Sequence, residues 1–223
     1  LLTSLVAHWK LDEASGTRND SHGTNHLTDN NTVTTGTAKL GTNAAQFTAA
    51  NSEYLSVADN AALSMGNIDF TIAFWLNLDT VASSQDLFNK CGGASGSDKE
   101  YRIYLNNASG NVLTFQVGDN AAASVAVDSG SAISAATWYF IVCSHDSVAN
   151  QVAVQIDNGT AATAAYSGGS HDGTQPLNIG VSIANGSFYT NGRMDSISIW
   201  KRMLTGGELT SLWNSGAGLE YPF

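Results

Sequence analysis

The sequence predicts an all-β protein: two antiparallel sheets packed as a sandwich, with one short C-terminal helix. Three observations predict it. Short runs of alternating or wholly apolar residues recur along the 223-residue chain and are separated by turn residues, the pattern of a sandwich or barrel. Only the stretch after Thr205 carries the start signals of a helix. No Pro-rich linker, long charge block or internal repeat divides the chain. Sandwiches of about this length commonly form one unit, so residues 1–223 are expected to be a single domain.

Residues 5–11 open the series, with Leu5, Ala7, Trp9 and Leu11 on one face and His8 and Lys10 on the other, because successive side chains of a strand point to opposite faces. The clearest period of two lies at Phe70–Leu78. There Phe70, Ile72, Phe74, Leu76 and Leu78 alternate with Thr71, Ala73, Trp75 and Asn77, which predicts a central strand. Residues 101–105, 112–117, 138–143, 151–156 and 177–181 follow as strands, with turns at Ser109-Gly110, Asn158-Gly159 and Gly168-Gly169. Asn158-Gly159 suits the central pair of a type I′ hairpin turn, where both residues need φ > 0. Residues 194–200 form the last strand. Thr205 then caps a helix reaching Trp213, with Glu208 completing a capping box and Leu204 and Leu209 at the staple positions. The stripe of Leu209, Leu212 and Trp213 is expected to cover an open edge or end of the sandwich. Trp9, Trp138, Trp200 and Trp213 read as core.

Composition excludes several function classes. Nine Lys and Arg stand against nineteen Asp and Glu, a net charge of −10, which repels phosphate backbones and anionic lipid. No nucleic-acid partner is expected. No apolar run approaches the ~18 residues of a membrane span, so no membrane insertion is expected either. Cys91 and Cys143 are too few for a disulfide framework and spaced unlike a zinc motif; they read as small buried residues, with their pairing left open. Residues 1–9 show no basic n-region or cleavage site, and without an initiator Met the chain reads as an excised domain or a processed protein. Abundant Ala, Ser, Thr, Asn and Gly with little Lys fits an extracellular, cell-surface or virion-surface setting.

One acid interrupts the apolar pattern. Strict alternation in residues 194–200 puts Asp195 on the face of Ile197 and Ile199. If the isoleucines enter the core, an ionised carboxylate goes with them, at a cost on the order of several kcal/mol unless a cation lies beside it. Asp20-Ser21-His22-Gly23-Thr24-Asn25 is rich in the hard oxygen ligands that Ca²⁺ takes. A structural Ca²⁺ shared by Asp20 and Asp195 is therefore expected.

Five stretches in this order and spacing carry a resemblance: residues 5–13, 20–23, 70–75, 137–142, and 192–195 leading to Trp200 and Leu204. Over essentially its whole length the sequence resembles the laminin-G-like and concanavalin A-like jelly-roll superfamily. The resemblance implies a two-sheet jelly-roll sandwich with one concave sheet and a structural calcium near the paired termini. In that family the last-strand aspartate and an early aspartate are usual ligands, which carry onto Asp195 and Asp20. Asn25 and Thr24 are added as candidates by their proximity to Asp20. The family often has a second acid after the last-strand aspartate; Ser196 stands there in this chain, which lowers the formal charge of the expected site.

Catalysis is not expected. Glycosidases need two carboxyl groups about 5 to 9.5 Å apart, and the fold's endoglucanase branch carries them on one strand as Glu-x-Asp-x-Glu. Here Glu13, Glu53, Glu100, Glu208 and Glu220 are scattered, and Phe70–Leu78 holds no acid. No Gly-x-Ser-x-Gly elbow or paired-histidine motif points to a hydrolase triad or zinc. A binding module remains. On the non-core parity of the strands lie Trp75, Asn77, Arg102, Tyr104, Thr114, Gln116 and Gln155, and an aromatic ring beside planar polar groups is the chemistry that holds a sugar. The expected function is a non-catalytic, lectin-like module that binds a glycan or polysaccharide within a larger surface protein. The alternative is a structural or protein-interaction domain of a surface or tail-fibre protein.

Overall fold

The computed structural model describes residues 1–92, 98–119, 124–182 and 188–223. Its strands form two antiparallel sheets. The eight-stranded sheet runs β13 (Ala162–Ala165), β12 (Gln151–Ile156), β11 (Tyr139–Asp146), β6 (Phe70–Leu78), β15 (Gly192–Trp200), β4 (Ala44–Phe47), β3 (Thr34–Gly36), with β1 (Leu5–Trp9) also paired to β15. The seven-stranded sheet runs β10 (Ser124–Ala132), β9 (Val112–Gly118), β8 (Asp98–Asn106), β7 (Gln85–Gly92), β14 (Leu177–Ile179), β5 (Tyr54–Val57), β2 (Thr28–Asn30). This is the jelly-roll sandwich that the sequence predicts.

Between the sheets lies a continuous core. Ile72, Phe74, Leu76, Ile141, Met194 and Ile199 enter it from one side, and Phe88, Tyr101, Ile103, Leu113 and Phe115 from the other. A second apolar cluster covers the outer face of the eight-stranded sheet. Ala73, Trp75, Phe140, Val142 and Trp200 lie in it with Leu204 and Leu212, and Trp138, Trp213, Tyr221 and Phe223 pack against it. Every residue of β6 is consequently buried: its odd side is sealed by this cluster, its even side by the core.

The helix α1 (Gly206–Trp213) is capped by Thr205, and both halves of the capping box with Glu208 form. It covers the outer face of a sheet rather than an edge or end of the sandwich. Asn158 Nδ2 donates to Thr210 Oγ1 at 3.1 Å, tying the helix to the β12–β13 hairpin. That hairpin turns one residue earlier than expected: Asp157 and Asn158 carry the positive φ values (53° and 55°), and Gly159 N closes the turn on Ile156 O. The shift follows from Asp157, whose carboxylate accepts Phe140 N at 2.8 Å and fixes the strand end. Strand β7 has no counterpart in the sequence reading. Two irregularities, between Asp86 and Phe88 and between Lys90 and Cys91, break its alternation, and Gln85, Asp86, Asn89 and Lys90 are all buried. Cys91 and Cys143 are free, buried and in different sheets.

Candidate binding site

The outer face of the seven-stranded sheet is polar where that of the other sheet is sealed. Side chains of β8 and β9 that alternate with the core residues point outward, and cross-strand register arranges them in rows. One row runs Ser56, Asn178, Asn89, Arg102, Gln116. The next runs Asp86, Tyr104, Thr114, Asp128. Four residues singled out from the sequence, Arg102, Tyr104, Thr114 and Gln116, thus share a face.

Arg102 is held on two sides. Its Nε and Nη2 donate to the two oxygens of Asp86 at 2.5 and 2.6 Å, the bidentate geometry that a planar guanidinium suits. Its guanidinium carbon lies 4.1 Å from the Tyr104 ring centroid, a cation–π stack. Burial pushes the Asp86 carboxyl above its ordinary value despite Arg102, whereas Asp86 keeps Arg102 above its own against burial. Thr114 donates to Asp128 at 2.5 Å and Gln116 Nε2 to Ser124 Oγ at 3.1 Å. Asn89 and Asn178 use their amide nitrogens on Val181 O and Pro176 O, and the Oδ1 of each is buried with no partner. Asp86 and Asn89 escaped the sequence reading because β7 lacks alternation. Asn178 was legible, sitting on the non-core parity of residues 177–181.

Trp75 and Asn77 belong elsewhere. They lie on the outer face of the eight-stranded sheet, on the opposite side of the sandwich, so the expected ligand residues do not form one platform. Trp75 is only 2% exposed; its ring lies 5.2 Å from that of Phe140 and Lys39 Nζ sits 4.3 Å above it. The indole is a packing residue under the C-terminal lid. Asn77 is buried and its Oδ1 accepts from Arg193 Nη2 at 2.9 Å. Gln155, also in that sheet, donates to Gly159 O.

The four residues expected to hold Ca²⁺ do not fit a shared site. Asp20 Oδ1 accepts the backbone N–H of His8, His22 and Gly23, and Oδ2 accepts both nitrogens of Asn25. Burial would raise this carboxyl, but the backbone hydrogen bonds outweigh it and hold it below its ordinary value; the charge is met by N–H dipoles. Asn25 Oδ1 accepts from Asn60, and Thr24 is exposed. Asp195 is buried, as expected, but on the other face from Ile197 and Ile199. Ser196 takes φ 51° and the register with β6 slips there, so one extra residue reverses the parity. Asp195 Oδ2 accepts Lys39 N and Leu40 N at 2.7 and 2.9 Å, while Oδ1 has no partner. Asp20 and Asp195 share no donor, and among the described residues no three His, Cys, Asp or Glu are grouped to hold a metal ion.

With this geometry in hand, comparison with known proteins identifies the fold's relatives. A family model described as the concanavalin A-like lectin/glucanases superfamily matches residues 49–210. The chain belongs to this superfamily. No curated protein matches it in sequence. Among solved structures, this superfamily member is similar to the binding domain of Paraclostridial Mosquitocidal Protein 1, with a TM-score of 0.78 and 17% identity over 96% of this chain and 53% of that one. It is similar to the binding domain of Botulinum Neurotoxin DC in complex with SialylT (TM-score 0.70, 12% identity, 99% and 52% covered). It also resembles Domain 4 of AbnA, a GH43 extracellular arabinanase from Geobacillus stearothermophilus, in complex with arabinotriose (TM-score 0.68, 17% identity, 97% and 98% covered). The chain spans about half the length of the toxin binding domains and nearly all of the arabinanase domain. At these identities the likeness is one of fold.

Proposed function

We propose that this chain is a non-catalytic carbohydrate-binding module of an extracellular or surface protein, and that its glycan lies on the outer face of the seven-stranded sheet. The observation that carries the reading is the Asp86–Arg102–Tyr104 stack, in which a buried acid fixes a partly exposed guanidinium and ring on the outer face of the seven-stranded sheet. A fixed guanidinium offers donors to ring and hydroxyl oxygens, a tyrosine edge offers an apolar ledge, and pre-ordering them lowers the entropy cost of binding. Of the acids on this face, Asp86 spends both oxygens on Arg102, Asp128 accepts from Thr114 through Oδ1, and Glu100 is paired with Lys90. Structural neighbours bound to SialylT and arabinotriose, the latter in an extracellular enzyme, support a glycan and a location outside the cell.

A glycan array that includes arabino-oligosaccharides, followed by calorimetry on the hits, tests the reading. Tyr104→Ala and Arg102→Ala should each weaken binding about ten- to hundredfold, on the scale of a buried hot-spot contact, while Gln155→Ala on the opposite face leaves it unchanged. Silence across the array would instead favour a spacer or protein-interaction role.

A further inference from the structure

At the sandwich end, by the start of β7 and the end of β8, lies a groove of ≈ 440 Å³ walled by Phe188, Tyr189, Ser83, Ser84 and Asn107 with two alanines. We propose that this groove is a second sugar subsite, continuous with the Arg102–Tyr104 surface, so that the protein takes a neutral oligosaccharide rather than a single sugar. The inference rests on the glycan-binding reading and adds the ligand's length and charge.

Continuity comes from Asp86. Its side chain clamps Arg102, and its backbone holds the aromatic pair: Asp86 N donates to Phe188 O at 3.0 Å and Thr190 Oγ1 donates to Asp86 O at 2.7 Å. Asn191 N adds a bond to Gln85 Oε1 at 2.7 Å. The segment that carries Phe188 and Tyr189 therefore runs along β7 beyond the short β14, and its backbone at Phe188 lies one strand away from that of Tyr104. The opposite wall is equally fixed. Asn107 Nδ2 donates to Val81 O and Asn111 Oδ1, both at 2.8 Å, and Asn107 N donates to Ser84 Oγ at 3.2 Å.

The lining selects the ligand class. Among the described residues no Asp, Glu, Lys, Arg or His borders the groove, so none of them compensates the desolvation of a charged group, which costs several kcal/mol on the order of the effective penalty per ion. Two half-buried rings supply apolar faces, and serine hydroxyls with one amide supply hydrogen-bond partners. That combination matches a pyranose or furanose ring, apolar on its C–H face and polar at its rim. The volume is within the roughly 300–1,000 Å³ of small-molecule sites, room for one or two sugar units in addition to those on the Arg102 surface.

Calorimetry with xylo-, cello-, malto- and arabino-oligosaccharide ladders of one to six units, on the wild type and three variants, tests this. Affinity should rise at least about tenfold from the monosaccharide to the trisaccharide, or about 1.4 kcal/mol. Tyr189→Ala should abolish the rise and leave the monosaccharide affinity as it was. Ser83→Trp, which fills the groove from an exposed position, should do the same without removing any native group. Tyr104→Ala should weaken all lengths alike. Binding that depends on Tyr104 but is equal for one and three units, or a length dependence that survives both Tyr189→Ala and Ser83→Trp, overturns the second subsite while leaving the proposed function standing. Preference for acidic over neutral chains overturns the assigned class, and silence of every ladder overturns both readings.

Discussion

Lys90 has no exposed surface, and its ammonium meets Asp59 at 2.7 Å, Glu100, and the carbonyl of Gly173. Burial pushes the Glu100 carboxyl up to about 7, against the pull of Lys90. Removing the cation leaves that carboxyl buried without compensation, so Lys90→Met should cost about 3–5 kcal/mol in urea unfolding. Glu100→Gln, which keeps an acceptor for Gly173 N, should cost less than half as much. Buried thiols give a second check. Burial raises Cys91 to about 12 and Cys143 well above its ordinary value, so a thiol reagent such as DTNB should titrate neither in the native protein and both after denaturation. Asp195 marks the limit of residue-level reading. Its burial was legible, but its direction was not, because alternation assumes an unbroken strand and a single positive φ at Ser196 breaks it. Trp75 was unreadable for a different reason: the groups that cover it come from residues far along the chain, and nothing in Phe70–Leu78 reports their arrival.

Among the elements, β6 and β12 were legible to the residue because both alternate without irregularity, and α1 was legible because its cap is local chemistry. The cap also makes the helix pH-sensitive. Arg202 donates to both oxygens of Glu208, at 2.8 and 2.6 Å, and these hydrogen bonds hold the Glu208 carboxyl at about 2 instead of 4.5. Between those values the unfolded chain takes up a proton that the folded state refuses. The contribution is therefore complete above pH 4.5 and is lost as pH falls towards 2. Glu208→Gln should flatten that part of the stability curve, measured by thermal melts across the acid range. Thr205→Ala, which removes the other half of the box, should cost about 1 kcal/mol at neutral pH. By contrast β7 was invisible to periodicity: its bulges and four buried polar residues serve the outer face and the ion cluster rather than a simple two-sided pattern.

At the scale of the whole molecule, the two ends of the chain are stitched by hydrogen bonds. β1 pairs with β15, Trp200 Nε1 donates to Leu1 O at 2.7 Å, Arg202 Nε donates to Thr3 O at 2.9 Å, and Gly41 N donates to Glu220 at 3.1 Å. The chain's own N–H groups fill the Asp20 carboxylate, so EDTA and added Ca²⁺ should give superimposable melting curves. A rise in melting temperature with Ca²⁺ would contradict that. The sandwich class and several of its strands were readable because they depend on pattern. Which outer face is open was not, since it depends on where the helix and the final residues come to rest. That asymmetry has a practical use. A fluorophore or biotin attached through an exposed helix position such as Ser211 would sit on the sealed side, and the module would display its polar side to solution in one orientation on a sensor chip.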